Sequence, residues 1–462
     1  MRNLKKAGMV LLFVVPAIVG FIGYLLADNT MADSAYMAIK AYLFDADTFN
    51  NNSLIEVARW TAPMCTVSGL AIILKTAFTR LVEFFLGFAS DAVAVYGDAD
   101  LKEIVKKNVK HAINVDDNEV LDVNGHIILF STDEKGIEFY RKNKERLCGD
   151  VFIKLDKNDV FSVALDDVKF FNPCEIVARS FWQENDIRSV IKNDRMKISI
   201  VGSDVLSRKI LSYGLLNNIY SLTQKIEYHV WSDDDFFQKA HGDFSTMNGD
   251  RVVYHSNKCE ERLFEIASSD RIIITEKINN EFLAELAQMT KGEIYCYDPM
   301  GTFVNIFDNS NIFSFGQYES VLTEENIRTD YLYDFAKKLN YQYTLRYSED
   351  KDNLPSQESA WRGLDTFSKG SNIASADYHK IRLIVMKETG KIKVDDALAE
   401  MEHIRWCRYH LLNHWKYGET ANGKKDTTNK IHPCLKPFAE LDREQQLKDS
   451  EGIEVLLSLE EV

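Results

Sequence analysis

Hydrophobic residues follow three spacings along this chain. Near the N-terminus they run unbroken. Residues 7–27 read AGMVLLFVVPAIVGFIGYLLA, 21 residues without a charge, enough for a helix to cross a hydrocarbon core. A second run spans about 60–78, with Trp60 suited to an interface and Lys75 and Arg80 at its far end. From residue 92, short runs of strand length alternate with helical stretches, the pattern of βα units. The spacing predicts a strand at 92–96 turning at Gly97, a helix at about 101–111, strands at 127–130 and 151–155, and a helix over 173–184. It then restarts with strands at 197–201, 226–231, 251–255, 271–275 and 293–297, helices between. From residue 331 the helical period dominates: 331–346, much of 361–387, and about 394–415.

A basic, apolar and small-residue order also fits a signal peptide, but the length of the first run and the presence of a second favour a two-span hairpin. Arg2, Lys5 and Lys6 precede the first run, while Asp28, Asp33, Asp45, Asp47 and Glu56 lie between the two. The positive-inside rule therefore puts both termini in the cytoplasm, most simply at a bacterial inner membrane. No run such as TVGYG supplies a potassium filter.

Composition narrows the partners. The 462 residues carry a net charge of -15, which argues against a nucleic-acid ligand, since that needs clustered positive charge. Hydrophobic residues make up 45% and charged residues 27%, as in a globular body with more than one core. Seven scattered cysteines without a C-x-x-C read as reduced thiols.

Each βα unit opens on a glycine turn of the kind that cradles a pyrophosphate. The first reads Gly97-Asp98-Ala99-Asp100, and its carboxylates repel an anion. The second reads Gly202-Ser203-Asp204, with Asp204 at the place of the second glycine and Asp233 able to act as a ribose-binding acid. NAD is the cofactor this turn would take, through Gly202, Ser203, Asp204 and Asp233. Two spans followed by these units resemble bacterial membrane proteins whose domains are like the TrkA-N, or RCK, regulators of potassium transport. That resemblance implies Rossmann-like domains acting as ligand-binding, scaffolding or dimerisation units.

On the helix at 394–415, Ala397, Leu398, Met401, Ile404, Leu411, Leu412 and Trp415 share one apolar face at about 100° per residue. Arg405 falls inside that face one turn from Glu402, so an Arg405–Glu402 pair is the economical account of a buried guanidinium. Trp406 falls on the opposite side, exposed for stacking. Glu402-His403, Arg405-Trp406, Trp415-Lys416-Tyr417-Gly418 and His432-Pro433-Cys434-Leu435, with Phe438 and Leu441, resemble the ryanodine-receptor repeat (RyR) domain. The resemblance implies a small-ligand or protein-interaction module, able in animal channels to hold an adenine nucleotide. It points to a nucleotide pocket around His403, Arg405, Trp406, Trp415, Tyr417 and His432, with Trp415 better suited to the core.

Two other signals carry less. His403, Cys407, His410 and His414 share about 60° of helix arc, but a row of about 16 Å cannot wrap one zinc ion. Gly418 to Lys425 looks like a phosphate loop, yet lacks the final Ser or Thr and follows a helix. No nucleophile–base constellation appears, so an enzyme is not expected.

The sequence thus predicts an α/β protein in four parts: a transmembrane hairpin (1–90), a degenerate Rossmann-like domain (91–190), a second Rossmann-like domain (195–345), and a helical linker with an RyR domain (346–462). The expected role is a membrane-anchored sensor or effector of a nucleotide-like ligand that regulates an output such as ion flux. A homo-oligomer in the lipid bilayer suits it, and an antiphage role suits such an effector. A protein scaffold and a NAD(H)-linked regulator of potassium transport are the alternatives.

Overall fold

The computed structural model describes the chain apart from residues 1, 46–51, 88, 162, 164, 166–167, 234, 243, 256–258, 278, 303–310, 330, 349, 421–422 and 461–462. Side chains at 2–12, 72–73, 75–77, 79–80, 82–84, 86, 260 and 460 also lie outside the description. The chain divides into two units, residues 1–89 and 90–462.

The first unit is a helical hairpin. Helix α1 (Arg2–Leu26) returns through the short α2 (Met31–Lys40) into α3 (Ser53–Leu86). Asn52 starts α3: its side-chain oxygen accepts from the Leu54 and Ile55 amides at 3.1 and 3.0 Å, and its amide donates to the Gly23 carbonyl at 2.8 Å. Gly23 is needed there, because a Cβ would lie 2.9 Å from the Ile55 nitrogen. Large apolar side chains stay exposed on both long helices, among them Phe13, Val14, Ile18, Ile22, Trp60, Met64, Leu70, Leu74 and Phe78. Among the described residues no helix is long and apolar enough to cross a membrane. The expected spans fall partly on 7–12, 72–73 and 75–77, whose side chains lie outside the described residues.

The second unit opens with β1 (Val93–Gly97), α4 (Ala99–Asn108), β2 (Ala112–Asn114), β3 (Gly125–Leu129), α5 (Asp133–Asn143), β4 (Asp150–Lys154), β5 (Val168–Phe171) and α6 (Pro173–Glu184). These strands are parallel in the order β2-β1-β3-β4-β5. The pattern repeats with β6 (Arg195–Val201), α7 (Val205–Asn217), β7 (Lys225–Trp231), α8 (Phe236–Ala240), β8 (Arg251–His255), α9 (Leu263–Ala267), β9 (Arg271–Ile274), α10 (Asn280–Met289), β10 (Glu293–Tyr297) and β11 (Ile312–Phe315). The second sheet is also parallel, in the order β11-β10-β9-β6-β7-β8. Numbered within the unit this is 3-2-1-4-5-6, the order of dinucleotide-binding sheets. The first sheet has the same plan without the third strand. Both are compatible with the Rossmann-like expectation. Strands such as Ile272–Ile273–Ile274 are buried, as a covered parallel sheet requires.

One apolar core runs through both sheets, from Val93 and Ile127 to Ile198 and Ile273. Helices α6 and α7 join them: the Trp182 indole donates to the Ile210 carbonyl at 2.8 Å and lies against Gly214, where a Cβ would come within 2.8 Å of the ring.

The remainder is helical: α11 (Tyr318–Val321), α12 (Glu324–Arg328), α13 (Tyr331–Tyr347), α14 (Gln357–Arg362), α15 (Thr366–Thr389), α16 (Asp396–Leu412) and α17 (Arg443–Glu460), with the two-residue strands β12 (Lys416–Tyr417) and β13 (Ile431–His432). Helix α13 packs on α14, α15 and α17, so it belongs to this module rather than to the second sheet. Helix α16 ends at Leu412, earlier than the period suggests, and His414 takes φ 64 to turn the chain. Packed among α7, α15 and α17, α16 is buried almost all round instead of on one face. Two buried arginines fasten the module. Arg179 of α6 meets Asp377 of α15 through two bonds of 2.8 and 2.9 Å. Arg408 of α16 donates to the carbonyls of Thr246 and Leu215 and to Asn248 and Asp250, each at 2.7 Å.

Candidate functional site

A cavity of about 560 Å³ lies inside the helical module. That is within the range of small-molecule sites, roughly 300–1,000 Å³. Helix α16 supplies Glu402, His403, Arg405, Trp406 and His410 to its wall. Glu402 is the pivot of the charged end. It binds Arg405 through bonds of 3.0 and 2.8 Å, meets Arg382 of α15 at 2.5 Å, and accepts from the Ser375 hydroxyl at 3.3 Å. The expected Arg405–Glu402 pair is therefore present. Burial works against the Glu402 charge, but the two guanidiniums hold its carboxyl below the usual range. Glu402 uses two of the Arg405 nitrogens. The third, Nη1, has no hydrogen-bond partner among the described residues although Arg405 is 2% exposed.

His403 is tied on both nitrogens, to Asp449 of α17 at 3.2 Å and to the Lys436 carbonyl at 2.9 Å. A carbonyl only accepts, so Nε2 carries a proton, and the Asp449 carboxylate draws a second onto Nδ1. Burial opposes that charge, but Asp449 and the Cys407 thiol 3.3 Å away lift the imidazole to about 11. Lys425 and Lys448 add positive charge at the rim, and Ser368, Ser371, Asn372 and Gln445 add neutral polar groups.

Part of the cavity wall is aromatic. The Trp406 ring lies 3.9 Å from that of His410 and 4.8 Å from that of His432, and Phe367 lies 4.9 Å from His410. These rings suit a planar ligand group, while Arg405 offers a charged donor to an anion.

The cavity thus brings together His403, Arg405, Trp406 and His432 from the sequence-derived set. It does not bring Trp415 or Tyr417. Trp415 is a buried core residue behind His410, at 5.4 Å between ring centroids. Tyr417 is 52% exposed and bonds Glu419 at 2.8 Å, away from the cavity wall. Trp406 is half-buried rather than exposed, because β13 folds back over it. His410, Tyr343 and Tyr347 of α13, Phe367 of α15 and Lys448 of α17 are wall residues that sequence reasoning missed. The tyrosine-rich period of 331–346 was a visible signal, but nothing in it says which helix it meets.

Among the described residues no group of three or more His, Cys, Asp or Glu could hold a metal ion. The row is split: His403 and Cys407 are buried on α16, while His414, beyond the end of that helix, stacks on His241 at 4.7 Å. The loop 418–425 includes residues 421–422, outside the described residues.

The second glycine turn is closed. Gly202 has φ 147, and a Cβ would sit 2.1 Å from the Thr275 hydroxyl. Asp204 caps α7, accepting from the Ser207 amide at 2.8 Å and the Thr275 hydroxyl at 2.9 Å. The Ser203 amide donates to Glu276 at 3.3 Å, and the Ser203 hydroxyl accepts from the Asp233 amide at 3.1 Å. Burial, with Asp204 and Asp233 nearby, pushes the Glu276 carboxyl up. The cavity beside Gly202 measures about 20 Å³, far below what a dinucleotide needs.

No curated protein and no solved structure matches the chain. The RyR domain model does match, at residues 379–459. The match begins midway along α15 and covers α16, β12, β13 and nearly all of α17. It takes in the Glu402–Arg405 pivot and the histidines, whereas the walls from α13 and from Phe367 to Ser375 precede it. Residues 379–459 are thus similar to the RyR domain, and they carry the greater part of the cavity's charged and aromatic lining.

Proposed function

We propose that this chain is a membrane-anchored sensor whose C-terminal cavity binds a small, anionic, nucleotide-like ligand. The observation that carries the reading is the Arg405 Nη1 group, buried without a hydrogen-bond partner among the described residues on the wall of a cavity that is also lined by aromatic rings. A buried charged donor left unpaired costs stability, on the order of 1–3 kcal/mol or more, and an arriving anion removes that cost. The similarity to the RyR domain supports the same reading.

The hairpin is the membrane part. Its exposed Phe, Ile, Leu and Trp side chains favour a hydrocarbon surrounding over water. We place both termini on the cytoplasmic side of a bacterial inner membrane, in a homo-oligomer, with ion flux as the output. Ligand binding would act by shifting the population of module arrangements. An antiphage effector is the biological setting this suits. The role is binding rather than catalysis.

The Rossmann-like sheets serve in this reading as scaffold, in the manner of regulators with TrkA-N or RCK domains. The self-filled turn at Gly202 favours scaffold over NAD binding. Thermal shift of the purified protein against adenine nucleotides, dinucleotides and cyclic nucleotides tests the sensor, which predicts a stabilising hit. Liposome flux with and without that hit separates an ion-conducting output from a pure protein scaffold.

A further inference from the structure

Three polar atoms on the cavity wall differ in kind. Arg405 Nη1 is a charged donor. The other two are the outer nitrogens of His410 and His432, and their characters follow from the inner nitrogens. His410 Nδ1 lies 2.9 Å from the Trp406 carbonyl oxygen, which can only accept. Nδ1 therefore carries the proton, and Nε2 keeps its lone pair. His432 Nδ1 lies 3.1 Å from the Cys434 amide, which can only donate. There Nδ1 holds the lone pair, and Nε2 carries the proton.

Both rings stay neutral. Burial holds His410 down at about 3 and His432 at about 4, and the charges of Lys425, Arg405 and His403 around them act in the same direction. The ring centroids are 5.6 Å apart, with the Trp406 ring beside both. A phosphate or carboxylate at His410 would set lone pair against lone pair. The anionic part of a ligand is thus directed to Arg405, and an uncharged edge to the histidines.

Resting on the reading of this cavity as a nucleotide-like site, we propose that His410 and His432 read the edge of a nucleobase, His410 as acceptor and His432 as donor, while Arg405 takes the ligand's phosphate. A nucleobase edge sets a donor beside an acceptor, and its ring suits the aromatic part of the wall. Phe367 and Trp406 flank it, and the sugar spans the middle of the cavity towards Ser371 and Asn372.

The test is calorimetric titration of the full-length protein with ATP, GTP, CTP, UTP and tripolyphosphate. The nucleotide that binds is then compared with its analogue methylated on the ring nitrogen of the pairing edge, N1 of a purine or N3 of a pyrimidine. Methylation is expected to weaken binding roughly tenfold or more, as expected for a lost hydrogen bond that leaves its partner unmatched. His410→Phe and His432→Phe, which keep a ring, should each weaken nucleotide binding by a similar factor and leave tripolyphosphate unchanged. Arg405→Gln should weaken both. Equal affinity for the methylated and unmethylated nucleotide in the unaltered protein overturns the assignment, and needs no variant to fold. If no nucleotide binds at all, the nucleotide reading of the cavity falls, and this assignment with it.

Discussion

The Arg408 guanidinium and the Asp250 carboxylate meet at 2.7 Å with neither side chain exposed. Arg408 belongs to the helix at the centre of the RyR-like module, and Asp250 precedes the last strand on one edge of the second sheet. Every guanidinium nitrogen is used, and Asp250 also accepts from the Ile226 amide at 2.7 Å and Gln224 at 2.8 Å. Removing one partner of such a pair strands the other charge. Arg408→Ala should therefore cost about 3–5 kcal/mol in urea unfolding. In a double-mutant cycle, Asp250→Ala in the Arg408→Ala background should cost much less than alone. Additive losses would show that the contact does not couple module to sheet.

The pairing of His403 with Asp449 gives stability a pH dependence of known sign. The His403 imidazole is lifted from 6.5 to about 11 in the folded chain. Its contribution is fully present below 6.5, the unfolded value, and is lost as pH rises through the folded one. The difference in melting temperature between the native chain and His403→Gln should thus be largest just below pH 6.5 and shrink towards pH 11. A difference that stays constant over that window would mean that His403 is not charged when folded.

Saturating NAD or NADH should leave the melting temperature where it is. The Gly202 turn offers a cavity of about 20 Å³, and the cap position of its helix is taken by Asp204. A ligand that binds only the folded state at 100 times its Kd adds about 2.7 kcal/mol, which a thermal shift would register. A clear rise with NAD would show that the turn opens.

The hairpin reading makes a spectroscopic prediction. Trp60 is 70% exposed on α3. In a bilayer it should sit at the interface, where brominated lipid quenches it. Quenching lost in Trp60→Phe, against the background of the other five tryptophans of the six, assigns the signal. Equal quenching by lipids with and without bromine would place Trp60 in water.

The sheets were largely legible in the sequence, because strands buried on both faces read as continuous apolar runs. The strands missed were the short or edge ones: Ala112–Asn114, Val168–Phe171 and Ile312–Phe315. A strand of three or four residues leaves too little pattern to separate from a loop. The Arg405–Glu402 pair was legible because spacing along one helix fixes both partners. The orientation of Trp406 was not. Helix α16 is enclosed on nearly every side, so its apolar stripe no longer tells inside from outside. Likewise Tyr343 and Tyr347 reach the cavity from a helix some 60 residues upstream of Arg405, by packing that no local period encodes.

Folds of this kind ordinarily keep an empty seat at the glycine turn and change shape when a cofactor fills it. Here Asp204 and Glu276 occupy that seat as part of the chain itself. The second sheet therefore behaves as though its ligand never leaves. Any ligand entering there would first have to break the Asp204 cap and the Ser203–Glu276 bond.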